Sequence, residues 1–112
     1  MDTSPIYTLL EEREQEWILL RRAFHLQPEL MYDVDRTSER VAELLERYGL
    51  EVQRNVGKHF GKGVIGILRG GLPGKTVLLR ADMDALPIHE QNEVNYRSTI
   101  DGVMHVAAMT PT

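Results

Sequence analysis

The residues best suited to chemistry stand in one short run, Leu79-Arg80-Ala81-Asp82-Met83-Asp84-Ala85-Leu86-Pro87, at the end of a segment rich in branched apolar residues. Side chains alternate along a strand, so continued strand geometry would turn Arg80, Asp82 and Asp84 to one face and Ala81 and Met83 to the other. Two carboxylates and a guanidinium converging there could bind a cation, orient a histidine ligand or tune a general base, because a nearby arginine favours the charged carboxylate. The plainer alternative is a solvated strand end turning at Pro87, its aspartates bonded to backbone. The four histidines, His25, His59, His89 and His105, show no short ligand spacing of the helical-zinc kind, and each alone reads as a loop or surface residue. The glycines between Gly57 and Gly74 read as turns and hairpin ends, since none forms a Gly-x-Gly-x-x-Gly leading from strand to helix. With no cysteine and no Gly-x-Ser-x-Gly, a thiol or serine nucleophile has no support.

The elements that must position this run fall into two halves. Ile6, Leu9, Leu10, Trp17, Leu20 and Phe24 recur at helical spacing, and Ser4-Pro5 supplies a hydroxyl cap with proline at the first helical position. A loop is expected from about His25 to Arg36, around Pro28 and Asp33-Val34-Asp35-Arg36. Thr37 or Ser38 then caps a second helix with a Val41, Leu44, Leu45, Tyr48 stripe, ended by Gly49 in a left-handed conformation. Three strands are expected after it, at Leu50–Gln53, Val64–Leu68 and Thr76–Leu79. Gly70-Gly71-Leu72-Pro73-Gly74-Lys75 makes the last two an antiparallel hairpin. The fold class is α/β, two N-terminal helices and then a partial mixed sheet with a hairpin, within one domain.

Composition narrows the partners. The 112 residues carry 13 basic and 17 acidic side chains, a net charge of −4 mixed along the chain, which argues against a nucleic-acid partner. No apolar run approaches the ~20 residues a membrane span needs, and the acidic, proline-containing start is unlike a secretory signal. Absence of cysteine fits a reducing compartment, so a cytoplasmic location is expected.

Across roughly residues 6 to 105 the chain resembles the start of a family of metal-dependent amidohydrolases. That family includes hippurate hydrolase, N-acetyl-diaminopimelate deacetylase and the indole-acetyl-amino-acid hydrolases. The resemblance lies in Arg21-Arg22-Ala23-Phe24-His25-Leu26-Gln27-Pro28-Glu29-Leu30, Thr37 through Val52, Gly74 through Ile88 with its Arg-Ala-Asp-Met-Asp-Ala-Leu-Pro, and Gly102-Val103-Met104-His105. It implies a two-metal hydrolase, with Zn or Mn, that cleaves a small N-acyl amino-acid substrate by means of a metal-bound water. It also implies a zinc-peptidase-like catalytic domain with an inserted lid that mediates dimerisation. On this reading residues 1–112 are an incomplete, N-terminal part of the catalytic domain, and the lid is absent. Asp84 matches the aspartate placed beside a metal ligand in the wider superfamily, and Asp82 matches a position that is often the ligand.

The family's Met-His is followed by Ala-Cys-Gly-His-Asp, whose Cys and His are ligands, and here those two positions hold Ala107 and Met109. A methyl group cannot coordinate, and a thioether is poorly suited to Zn or Mn. The general base and remaining ligands implied by the family lie beyond Thr112. Written in permitted codons, one deleted base turns the family's message into Val106 to Thr112 followed by a stop. The expectation is a frameshifted, truncated and inactive product that binds no metal, with Val64, Ile67, Val77 and Leu79 short of packing partners. The alternative is a non-enzymatic chain that pairs with a full-length relative through an exposed sheet edge.

Overall fold

The computed structural model describes residues 2–58, 60–87, 90–91 and 93–105. Three helices, α1 (Ser4–Glu12), α2 (Glu14–Leu26) and α3 (Asp35–Arg47), precede two strands, β1 (Glu51–Val56) and β2 (Gly63–Ile67). The architecture is α/β. The chain divides into two compact units, one of Met1–Pro28 with Pro87–Thr112 and one of Glu29–Leu86. Among the described residues no helix is long and apolar enough to cross a membrane.

In the first unit, the single helix expected from Ile6 to Phe24 is interrupted at Arg13, whose backbone leaves helical geometry although neither proline nor glycine stands there. Ser4 is the first helical residue rather than the cap, and its N–H donates to the Asp2 carboxylate at 3.0 Å. That hydrogen bond holds the Asp2 carboxyl below its usual range. No residue of α1 is buried, and Ile6, Leu9 and Leu10 are all at least half exposed. The helix continues through Leu26, so the expected loop begins later than His25. Met104 and Pro28 are the largest fully buried side chains among the described residues, and both belong to this unit.

In the second unit the start of α3 departs from expectation in an instructive way. The helix begins at Asp35, and neither Thr37 nor Ser38 caps it. Glu29 does so from outside the helix, its carboxylate accepting the Thr37 N–H at 2.6 Å, the Thr37 hydroxyl at 2.8 Å and the Arg36 N–H at 3.4 Å. These are N–H groups a helix leaves without internal partners. The other end follows the sequence. Gly49 has φ 86°, its N–H donates to the Glu46 carbonyl at 3.0 Å, and the Leu50 N–H reaches the Leu45 carbonyl at 3.1 Å. This pair of bonds is the Schellman closure, and it turns the chain directly into β1.

β1 and β2 pair antiparallel, with Glu51 opposite Ile67 and Gln53 opposite Ile65, and an irregularity between Gln53 and Val56. Asn55, at φ 57°, occupies that irregularity, as the short polar side chains that tolerate left-handed backbone often do. α3 packs on this hairpin. A Cβ on Gly66 would lie 3.0 Å from both Leu45 Cδ1 and Leu50 Cδ2, so the missing side chain lets helix and strand approach. Arg54 on β1 pairs with Glu39 and Glu46 of α3, and Ser38 Oγ donates to the Lys62 carbonyl at 2.8 Å. Val34, Ala42 and Ala85 are this unit's buried apolar residues.

The hairpin therefore joins the first two expected strands, not the second and third. Thr76–Leu79 belongs to no strand, and Val77, Leu78 and Leu79 are 81%, 86% and 90% exposed. Branched apolar residues favour a sheet only where a neighbouring strand and a covering layer exist, and among the described residues this run has neither. Val64 and Ile67, by contrast, are half-buried. One parallel bridge, Leu30 with Ala85, stands beside the antiparallel ladder, so both pairing senses occur in this unit.

Candidate functional site

The run around Asp82 and Asp84 is anchored at its far end. Ala85 is 2% exposed and its N–H donates to the Glu29 carbonyl at 2.7 Å, beside the bridge to Leu30. Glu29 thus ties two things at once, with its backbone holding the residue after Asp84 and its carboxylate holding the start of α3. Burial alone would raise the Glu29 carboxyl, but the hydrogen bonds from Thr37 and Arg36 outweigh it and hold the group below the usual range.

Arg80, Asp82 and Asp84 converge only in part. Arg80 donates to Asp82 at 2.7 Å in an exposed pair. Asp84 stands apart from that pair and, with Arg80, lines a cleft of about 560 Å³ whose other residues include Met31, Tyr32, Lys58, Lys62 and Met83. Tyr32 stacks on Phe60, ring centroids 4.9 Å apart, and Lys62 forms an ion pair with Asp35. The loop from Gly57 to Gly61 that carries Lys58 reverses through left-handed backbone at Gly57, Phe60 and Gly61. Nothing in the spacing of Lys58 and Lys62 along the sequence points across the hairpin to Asp84.

A second polar group lies in the other unit. His25, expected at the surface, is 2% exposed at the last turn of α2, and its Nε2 lies 2.7 Å from Glu90 Oε1. The other Glu90 oxygen accepts the Ser98 N–H at 2.6 Å, and the Glu90 carbonyl accepts from Arg97 at 2.5 Å. Tyr96 meets the His25 ring edge-on at 6.0 Å and carries the Arg22 guanidinium over its face at 4.4 Å. The one available signal was position, since His25 adjoins Phe24 in the apolar stripe. His59 and His89 lie outside the described residues, as do Ala107 and Met109.

Among the described residues no three of His, Cys, Asp and Glu stand together as a metal ion requires. Asp82 is committed to Arg80, and Asp84 faces a cleft that otherwise offers ammonium, guanidinium, thioether and phenol groups. This donor set does not fit a two-metal centre.

No protein-family model matches the chain. Individual proteins do. Thermostable carboxypeptidase 2 of Saccharolobus solfataricus is 49% identical over 92 residues, which is 81% of this chain and 23% of that protein. The N-acyl-L-amino acid amidohydrolase of Geobacillus stearothermophilus is 39% identical over 106 residues, 94% of this chain and 28% of that protein. Among solved structures, a dinuclear metal-binding peptidase of the M20 family from Bacillus subtilis superposes with a TM-score of 0.75 at 33% identity, covering 85% of this chain and 26% of that one. The chain resembles the metal-dependent amidohydrolases and peptidases. It spans about a quarter of the length of the curated relatives it matches.

Proposed function

We propose that this chain is part of the catalytic domain of a metal-dependent amidohydrolase acting on N-acyl amino acids, and that as it stands it hydrolyses none. The observation that carries the reading is a mismatch. The chain is 39% identical to an N-acyl-L-amino acid amidohydrolase over 106 residues, yet two of the ligand positions that the resemblance implies hold side chains unsuited to Zn or Mn. The two ligand positions implied by the resemblance carry Ala107 and Met109. In the intact family a divalent ion, Zn or Mn, supplies the activated water. Asp82 and Asp84 are the residues of this chain assigned to that site, with Asp84 as an orienting group. We place the protein in the cytoplasm, in keeping with its lack of cysteine.

The test is to equilibrate the chain with Zn²⁺ or Mn²⁺, remove excess, and measure metal content alongside hydrolysis of an N-acyl amino acid. The expected result is neither stoichiometric metal nor turnover, and both together would overturn the reading. Val106 to Thr112 is explained by a change of reading frame after His105. Sequencing the DNA across codons 105 to 108 decides this, since one restored base must recover Cys-Gly-His-Asp. A second reading, a non-enzymatic chain that pairs with a full-length relative, is favoured by the exposed Val77-Leu78-Leu79 run. Mixing with such a relative and measuring co-elution separates the two.

A further inference from the structure

The run from Lys75 to Asp84 ends with one side taken and the other open. Ala85 turns its N–H to the Glu29 carbonyl beside the bridge to Leu30, so that side of the chain is occupied where the run closes. Backbone polar groups alternate from side to side along an extended chain, which sets the N–H and C=O groups of Thr76, Leu78 and Arg80 on the opposite side. Among the described residues no strand pairs with them, and the apolar centre of the run, Val77, Leu78 and Leu79, is exposed. The charges are sorted by end. Lys75 stands at the start and Asp82 and Asp84 at the close, all three exposed, with Arg80 held by Asp82 at 2.7 Å.

This order of residues suits a second copy of the same run, laid in one sense only. Parallel and in register, Lys75 would meet Lys75, Arg80 would meet Arg80 and each aspartate would meet itself, and like charges directly opposite are destabilising. Antiparallel, the cationic start of one copy lies beside the anionic close of the other. The apolar residues then fix the register. Centred on Leu78, the copies set Leu78 against Leu78 and Val77 against Leu79, with Thr76 opposite Arg80 and Lys75 opposite Ala81. Centred on Val77, Leu79 would instead face Lys75, and centred on Leu79, Leu78 would face Arg80. We propose that residues 75–81 are a dimerisation strand, pairing antiparallel with the same residues of a second copy about a two-fold axis at Leu78. Each copy offers the same open edge, so the contact closes on itself. An interface this small makes the dimer weak and transient.

The chain contains no cysteine, so single-cysteine variants report the register directly. In this pairing the two copies of residue 78 have Cα atoms about 5.5 Å apart, within the range a disulfide spans. The two copies of residue 75 stand about 20 Å apart, six residues along the strand and beyond that range. Under mild oxidation Leu78→Cys is expected to give a covalent dimer on a non-reducing gel and Lys75→Cys none. Sedimentation of the freshly prepared chain at concentrations up to about 1 mM should show monomer and dimer in exchange. Leu78→Lys should weaken that association about tenfold or more, since it sets two ammonium groups across the axis. Leu9→Lys, at an exposed apolar position on α1, should leave it unchanged, and circular dichroism verifies that each variant folds. A chain monomeric throughout, aggregates without a dimer, an unaffected Leu78→Lys, or equal cross-linking of the two cysteine variants would each overturn the proposal. So would pairing with a full-length relative and never with a second copy.

Discussion

Glu29 serves the second unit twice, through its carboxylate and through its backbone carbonyl. Its carboxylate serves the Thr37 and Arg36 N–H groups at the start of α3, so Glu29→Ala should cost about 1 kcal/mol or somewhat more, as loss of a helix cap does. Chemical denaturation followed by circular dichroism checks this. Because the folded-state carboxyl is held below its unfolded value, its stabilisation is fully present above the ordinary carboxylate range. It is lost as pH falls through the lowered folded value. Wild type should therefore lose stability relative to Glu29→Ala on acidification below about pH 4, and parallel curves for the two proteins would contradict the assigned role. Glu90 is the counterpart in the first unit. Glu90→Ala leaves the buried His25 Nε2 and the Ser98 N–H without their acceptor, a loss of about 2–6 kcal/mol at one to three per orphaned group. Loss of ordered His25 and Tyr96 NMR signals would report it. Neither carboxylate was legible beforehand, since Glu29 and Glu90 act on residues 8 and 65 positions away and no local pattern encodes such a pairing.

At the scale of elements, the clearest local signals were realised and the strand pairing was not. Gly49 ended its helix as composition requires, because only glycine takes that backbone without a steric penalty. The sequence suggested a turn at Gly70–Lys75, whereas the hairpin closed at Gly57–Lys62, and choosing between them required knowing which strand α3 would cover. Gly63 marks that choice physically. A Cβ there would lie 2.7 Å from the Val56 carbonyl oxygen, a backbone atom that cannot step aside. Gly63→Ala should destabilise the hairpin by about 1–3 kcal/mol, read as a lower denaturation midpoint. The Thr76–Leu79 run is the opposite case, a strand sequence left without a ladder. Leu78→Lys should slow aggregation, seen by light scattering, at little cost to folding, because the side chain is 86% exposed already.

For the molecule as a whole, the apolar surface tells most. Five apolar residues are buried among the described ones, Pro28, Val34, Ala42, Ala85 and Met104, while Leu72, Val77, Leu78 and Leu79 each stand more than four-fifths exposed. A chain so composed should be marginally stable, and limited proteolysis should cut between residues 69 and 84 first. A protease-resistant chain with one sharp unfolding transition would contradict this. The family resemblance was readable from motifs because Arg80 to Pro87 and His25 to Leu30 keep their order and spacing. The cleft was not, since Met31, Lys58 and Asp84 meet only after β1 and β2 fold back. That hairpin and its helix have a further consequence for how the protein comes into being. α3, the Gly49 reversal, β1 and β2 occupy one uninterrupted stretch, Asp35 to Ile67, whose contacts are short in sequence. Local contacts of this kind close quickly, so this αββ unit can assemble without waiting for the exposed run at Thr76–Leu79 to find a partner.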